Sequence, residues 1–134
     1  MERYCDLHAH STASDGSLTP AQLVQLAEDT GLSAVVLCDH NTVAGLPEFM
    51  EAGKNAPVET VPAVEFSTEY MGIELHVLGL FVMPEHYDAI NSLLDEFKRR
   101  KEQSNIALVK ALNAAGESSA ALPKYWCRRD MRLL

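Results

Sequence analysis

Two histidines stand one residue apart, His8-Ala9-His10, directly after a short apolar segment. In an extended backbone, residues two apart point the same way, so both imidazoles can reach one metal ion. Histidine is the commonest transition-metal ligand. By itself an H-x-H is an ordinary surface pair. Its surroundings are less ordinary: Asp6 precedes it, and the polar run Ser11-Thr12-Ala13-Ser14-Asp15-Gly16 follows. That run adds a carboxylate, Asp15, although Asp-Gly is also a common turn. Farther along come Asp39-His40-Asn41, Glu65 within Ala63-Val64-Glu65-Phe66, and His76 within Ile73-Glu74-Leu75-His76-Val77-Leu78-Gly79. Most of these have a plain structural reading. Asp39 or Asn41 would cap the following helix, and His76 would be a hydrogen-bonded core histidine. Glu65 is harder to absorb, because a carboxylate in a buried strand needs a cation nearby. His86 lies outside the pattern and reads as surface.

The elements around these residues give them a common location. Residues 4–7 form a short strand candidate. Thr19-Pro20 opens a helix, with Thr as N-cap and Pro at the first position, and Gly31 stops it. Residues 34–38, AVVLC, are a continuous apolar run, as expected of a strand buried on both faces. Residues 43–53 read as a second helix with Pro47 in its first turn, and 59–65 as a third strand. This alternation implies βαβ units and a parallel sheet. Residues 66–70 and 73–82 then read as two strands around Met71-Gly72, a hairpin. From Pro84 a long helical pattern runs to a cap at Gly116, with Ile90, Leu93, Leu94 and Phe97 on one face and the charged stretch 96–102 solvated. His8, His10, Asp15, His40 and Glu65 thus fall at or just past the C-terminal ends of successive parallel strands, the edge where α/β sites form. With His76, four histidines and two carboxylates on one rim suit two or three divalent metals, and Zn, Mn or Fe better than Mg or Ca. Such a cluster generates hydroxide at neutral pH and clamps a phosphate between metals. No P-loop, G-x-G-x-x-G, Ser-His-Asp or Cys-His pattern competes with it.

Composition bounds the partners. The chain has 134 residues, 11 Lys plus Arg against 19 Asp plus Glu, a net charge of −8, and an apolar fraction of 47%. That is one ordinary soluble domain. The acidic balance disfavours stable duplex nucleic-acid binding, which needs basic patches, but leaves a phosphate substrate open, since bound metals invert the local charge. No apolar run approaches the roughly 18 residues of a membrane span. The opening residues carry no signal-peptide pattern, and three cysteines, Cys5, Cys38 and Cys127, lack zinc-ligand spacing. The expectation is a reduced, cytoplasmic protein.

Asp6-Leu7-His8-Ala9-His10-Ser11, Ser14-Asp15-Gly16, Asp39-His40-Asn41, Glu65 and Leu75-His76-Val77-Leu78-Gly79 resemble, in order and spacing across 4–82, the opening motifs of the PHP (polymerase and histidinol phosphatase) family. The resemblance implies an α/β fold: the N-terminal part of a distorted (β/α)7 barrel with parallel strands over 1–83, then a helical segment over 84–116 similar to the start of a small insertion, then an atypical tail over 117–134. It implies a trinuclear centre with His8 and His10 on one metal, Asp15 and His40 on a second, Glu65 bridging, and His76 on the third. It also implies a metal-dependent phosphoesterase acting on phosphate monoesters or terminal phosphodiesters of nucleotides or RNA ends. The chain looks most like the stand-alone bacterial branch of nucleoside 3',5'-bisphosphate phosphatases with 5'-to-3' exoribonuclease activity. The family's later motifs, an Ala-His-Pro-type histidine and a late Asp-x-His pair, have no counterpart here, and residues 117–134 read as unrelated or frameshifted sequence. The expectation is a truncated chain, an open half barrel whose sheet edges favour self-association. Two rival readings are a non-catalytic metal-binding remnant and an amidohydrolase-like hydrolase. The second also places an H-x-H after its first strand but fits Asp39-His40-Asn41 and Glu65 less well.

Overall fold

The computed structural model describes residues 3–114. The atypical tail expected at 117–134, with Cys127, lies outside the described residues. Within them the order is β1 (Cys5–Ala9), α1 (Pro20–Asp29), β2 (Ala34–Leu37), α2 (Leu46–Gly53), β3 (Glu59–Tyr70), β4 (Ile73–Leu80), a 3-10 turn (Pro84–His86) and α3 (Tyr87–Ala114). A first compact unit ends at Ile90 and a second begins at Asn91. No helix among the described residues is long and apolar enough to cross a membrane.

The local signals act as their chemistry dictates. Thr19 caps α1 through a reciprocal box with Gln22: each side chain takes the other residue's backbone N–H. Thr30 closes the helix, and Gly31 turns the chain away at φ +74°. Pro47 sits in the first turn of α2, where a missing N–H goes unnoticed. That placement makes the helix start at Leu46, three residues later than the apolar pattern from Val43 suggests.

The four strands form one mixed sheet in the order β1-β2-β3-β4. β1, β2 and β3 run parallel, and β4 returns antiparallel to β3. The hairpin turn is Met71-Gly72, both at positive φ, which matches the twist of the flanking strands. The expected break between strands at 65 and 66 does not occur: β3 is one strand of 12 residues, from Glu59 to Tyr70. Residues 59–62 pair with β2 and 63–70 with β4, so Glu65 lies inside the strand, opposite Leu78 and just past the last pair with β2.

Alternate side chains separate the faces. Val35 and Leu37 of β2 and Val64 of β3 bury against Leu23, Val24 and Ala27 of α1 and Leu46 and Phe49 of α2. Each fully buried side chain of this size contributes about 1.5–3 kcal/mol. Val36, Cys38, Val61 and Ala63, with Leu78, form a smaller cluster on the other face. Glu65 continues the row of Val61 and Ala63, at the end of that second face.

Candidate metal centre

The site grows out of this register. β1 carries His8 and is followed by His10; the segment after β2 carries His40; β3 carries Glu65 and β4 carries His76. Beyond Leu37 a single parallel bridge, His40 to Glu65, extends the sheet by one step. Glu65 is only 2% exposed and is the hub. Its Oε2 lies 3.0 Å from His8 Nε2, 3.3 Å from His10 Nε2 and 3.3 Å from His40 Nδ1, while its Oε1 lies 2.7 Å from His76 Nδ1. Asp15 closes the far side, 3.6 Å from His10 Nδ1 and 3.9 Å from His40 Nε2. The His10 and His40 rings stack with centroids 4.5 Å apart. All six residues singled out in the sequence therefore converge, and His86 stays outside on the surface.

Electrostatics divides the histidines. Burial, together with the neighbouring His40, holds the His10 pKa below its usual value, which favours the neutral ring that a metal requires. The Glu65 carboxylate raises the pKa of His76. Burial of Glu65 opposes its charge, but hydrogen bonds from His8 and His76 outweigh that effect and bring its pKa below the usual carboxylate value.

The donor set fits a divalent cation. The Nδ1 atoms of His10 and His40 are buried without a hydrogen-bond partner among the described residues. Their carboxylate neighbours at 3.6 and 3.3 Å lack the distance or direction of a hydrogen bond. An orphaned buried polar atom costs about 1–3 kcal/mol, a penalty that a cation accepting these lone pairs removes. His10, His40 and Glu65 each offer one ligand atom within 4.8 Å of the others, and so do His8, His10 and Cys38. Cys38 is the weaker donor. Burial pushes its thiol up to about 12, and the neutral S–H points at the Ala9 carbonyl, 3.5 Å away.

Sequence reasoning misplaced the residues flanking His40. Neither caps α2, whose N-cap is Gly45 with no side-chain bond. Asp39 is instead buried beneath Ser11 and Ser14, and Asn41 reaches Ser67 of β3. The α2 start at Leu46, with Gly45 as N-cap, leaves both residues too far upstream to cap it. Glu74, 3.4 Å from His76 Nε2, also went unnoticed, since an exposed acid on a strand gives no signal of its own.

Comparison with known proteins bears on this geometry. The model of the PHP domain family matches residues 6–120. A 5'-3' exoribonuclease of Haemophilus influenzae is 38% identical over 120 residues, 90% of this chain and 43% of that protein. A 3',5'-nucleoside bisphosphate phosphatase of Chromobacterium violaceum is 29% identical over 111 residues, 83% of this chain and 39% of that protein. Among solved structures, one described as a metal-dependent phosphoesterase, from Bifidobacterium adolescentis, superposes with a TM-score of 0.70 at 26% identity, over 85% of this chain and 40% of that one. The chain thus spans 43% and 39% of the two curated relatives.

Proposed function

The chain belongs to the PHP domain family, and from that premise we propose that its histidine–carboxylate cluster is the N-terminal share of a divalent-metal phosphoesterase centre. The observation that carries the reading is the pair of buried, unpartnered Nδ1 atoms of His10 and His40 beside the Glu65 carboxylate. In this reading His8 and His10 hold one cation, Asp15 and His40 a second, and His76 a third. Glu65 would be shared between cations, since its two oxygens face different histidines. The cations are Mn, Zn or Fe, in keeping with a mixed imidazole and carboxylate donor set. When bound, they supply positive charge against phosphoryl oxygens and a nucleophile at neutral pH.

The chain's own residues do the rest. His10, kept neutral by burial, is ready to bind without first losing a proton. Glu65 favours the protonated form of His76, so a cation competes with that proton for the ring. His8, Asp15 and His76 are the more exposed members, so they are the ones a phosphate ester would reach first. The substrate class is a phosphate monoester or terminal phosphodiester of a nucleotide or an RNA end, supported by the named activities of both curated relatives. Cys5 and Cys38 are unpaired thiols, in keeping with a cytoplasmic setting.

The test is phosphate release by the 134-residue chain. Adenosine 3',5'-bisphosphate and a 5'-phosphorylated oligoribonucleotide are supplied with Mn2+, beside amide and cyclic-urea substrates. The expected result is Mn-dependent release from a phosphoester that collapses in His10→Ala. Bound metal with no release would favour the non-catalytic reading, and turnover of the amides alone would favour an amidohydrolase.

A further inference from the structure

Two residues are left without a role by the metal reading, and both are neighbours of His40. Asp39 is 2% exposed, and its carboxylate is fully engaged by one loop. Oδ1 accepts the Ser11 N–H at 2.7 Å and the Ser14 hydroxyl at 2.6 Å, and Oδ2 accepts the Ser11 hydroxyl at 2.7 Å. That loop begins at His10 and carries Asp15. Gly16 then folds back so tightly that a Cβ there would lie 2.2 Å from the His10 carbonyl oxygen, while its N–H donates to Ser11 O at 2.8 Å. A buried carboxylate is costly unless hydrogen bonds satisfy it, so Asp39 and these donors hold one another in place.

Asn41 acts in the other direction. It adopts φ +50°, a left-handed conformation that Asn tolerates better than most residues. Its N–H donates to Glu65 O at 2.8 Å, and the Glu65 N–H donates to Asp39 O at 3.2 Å. Its side chain then repeats the pattern one step on: Oδ1 accepts the Ser67 N–H at 3.0 Å and Nδ2 donates to the Ser67 hydroxyl at 3.0 Å. The ladder between β2 and β3 is thereby continued past the end of β2 by a side-chain amide.

We propose that Asp39 and Asn41 are positioning residues of the centre. Asp39 aligns the loop bearing His10 and Asp15 with His40, and Asn41 aligns the Glu65 stretch of β3 with the same histidine. The inference rests on the metal reading above. Ligand geometry is the quantity at stake, since outer partners that orient ligands typically change metal affinity about 10–100-fold.

The experiment compares the full chain with Asn41→Gly, Asp39→Asn and, as control, Thr30→Ala. Asn41→Gly keeps the left-handed backbone accessible and removes only the clamp. Asp39→Asn turns part of an acceptor toward donors. Thr30→Ala removes a distant hydrogen bond to Leu26 O and reports plain loss of stability. Mn2+ affinity is measured by calorimetry. Thermal unfolding and amide exchange are measured on the metal-free chains. The expected result is an affinity loss of about 10–100-fold in both test variants and none in the control, at comparable changes in Tm. Exchange of the Glu65 amide quickens in Asn41→Gly, and that of Ser11 in Asp39→Asn. Asn41→Asp, which keeps an oxygen for the Ser67 N–H, restores most of the affinity. Wild-type affinity in both test variants, or an equal loss in the control, overturns the proposal. A wild-type chain that takes up no Mn2+ sinks the metal reading instead. Amide exchange then decides alone: quickening supports the alignment role, and unchanged protection overturns it.

Discussion

The two parts of β3 occupy different surroundings. Residues 59–62 pair in parallel with β2, and the stretch 61–65 buries Val61, Ala63, Val64 and Glu65. Residues 63–70 pair antiparallel with β4, and beyond Glu65 they become more exposed toward Tyr70. β4 itself is exposed along most of its length, with Ile73, Leu75 and Val77 open to solvent. The candidate centre straddles this divide. His10 and His40 sit beside the buried part under clamps from Asp39 and Asn41, whereas His76 rides on the open hairpin and is held through Glu65 and Glu74. One carboxylate therefore joins a built region to an exposed one, and the two should respond differently to perturbation.

The largest contrast lies in packing. Phe49→Ala empties a fully buried position beneath the parallel strands and should cost about 3–5 kcal/mol in urea unfolding. A loss under about 1 kcal/mol would mean that the covered part is no better packed than the hairpin. Next comes Gly16→Ala, whose methyl meets backbone and cannot be accommodated by a rotamer change. It should cost about 1–3 kcal/mol and weaken Mn2+ uptake, read by denaturation and calorimetry together. Wild-type behaviour would show that the loop is looser than its contacts imply.

A pH series sharpens the comparison at the junction. His76 has a raised pKa, so its pairing with Glu65 stabilises the metal-free fold fully below the ordinary imidazole value of 6.5, provided Glu65 stays ionised. That contribution fades as the pH climbs through the raised value. The Glu65 pKa is lowered, so its own contribution is lost only as the pH falls through that lowered value. The Tm gap between the chain and His76→Ala should therefore shrink from pH 6 to pH 9, while metal uptake improves over the same rise because proton and cation compete for the ring. A gap that widens with pH would contradict the pairing. The smallest effect is expected from Ile73→Ala on the exposed face of β4, within about 0.5 kcal/mol in the same urea assay.

Much of this was readable in advance, for reasons that differ by residue. His8 and His10, an ordinary pair by themselves, become legible through Asp15 and the strand end beside them, and Glu65 because a charge in an apolar strand demands a partner. Thr19-Pro20 and Gly31 fix α1 through local chemistry alone. The continuity of β3 was hidden, since its second part alternates polar residues and carries no sign of which neighbour it pairs with. The parts played by Asp39 and Asn41 were hidden for a deeper reason. A carboxylate or an amide near a helix start looks the same in sequence whether it caps that helix or grips a loop 28 residues upstream or a strand 26 residues downstream.

The hairpin also orders events in time. Glu65 and His76 are separated by 11 positions, joined by a two-residue turn, whereas His8 and Glu65 are separated by 57. Hairpins close in about 1–10 μs, while contacts between distant segments wait on the slower closure of long loops. During folding the carboxylate hub meets His76 of its own hairpin first and the histidines of the distant β1 segment later. A cation present from the start would encounter a two-residue foothold before the parallel strands pair, and refolding with and without Mn2+ should differ in rate as well as in endpoint.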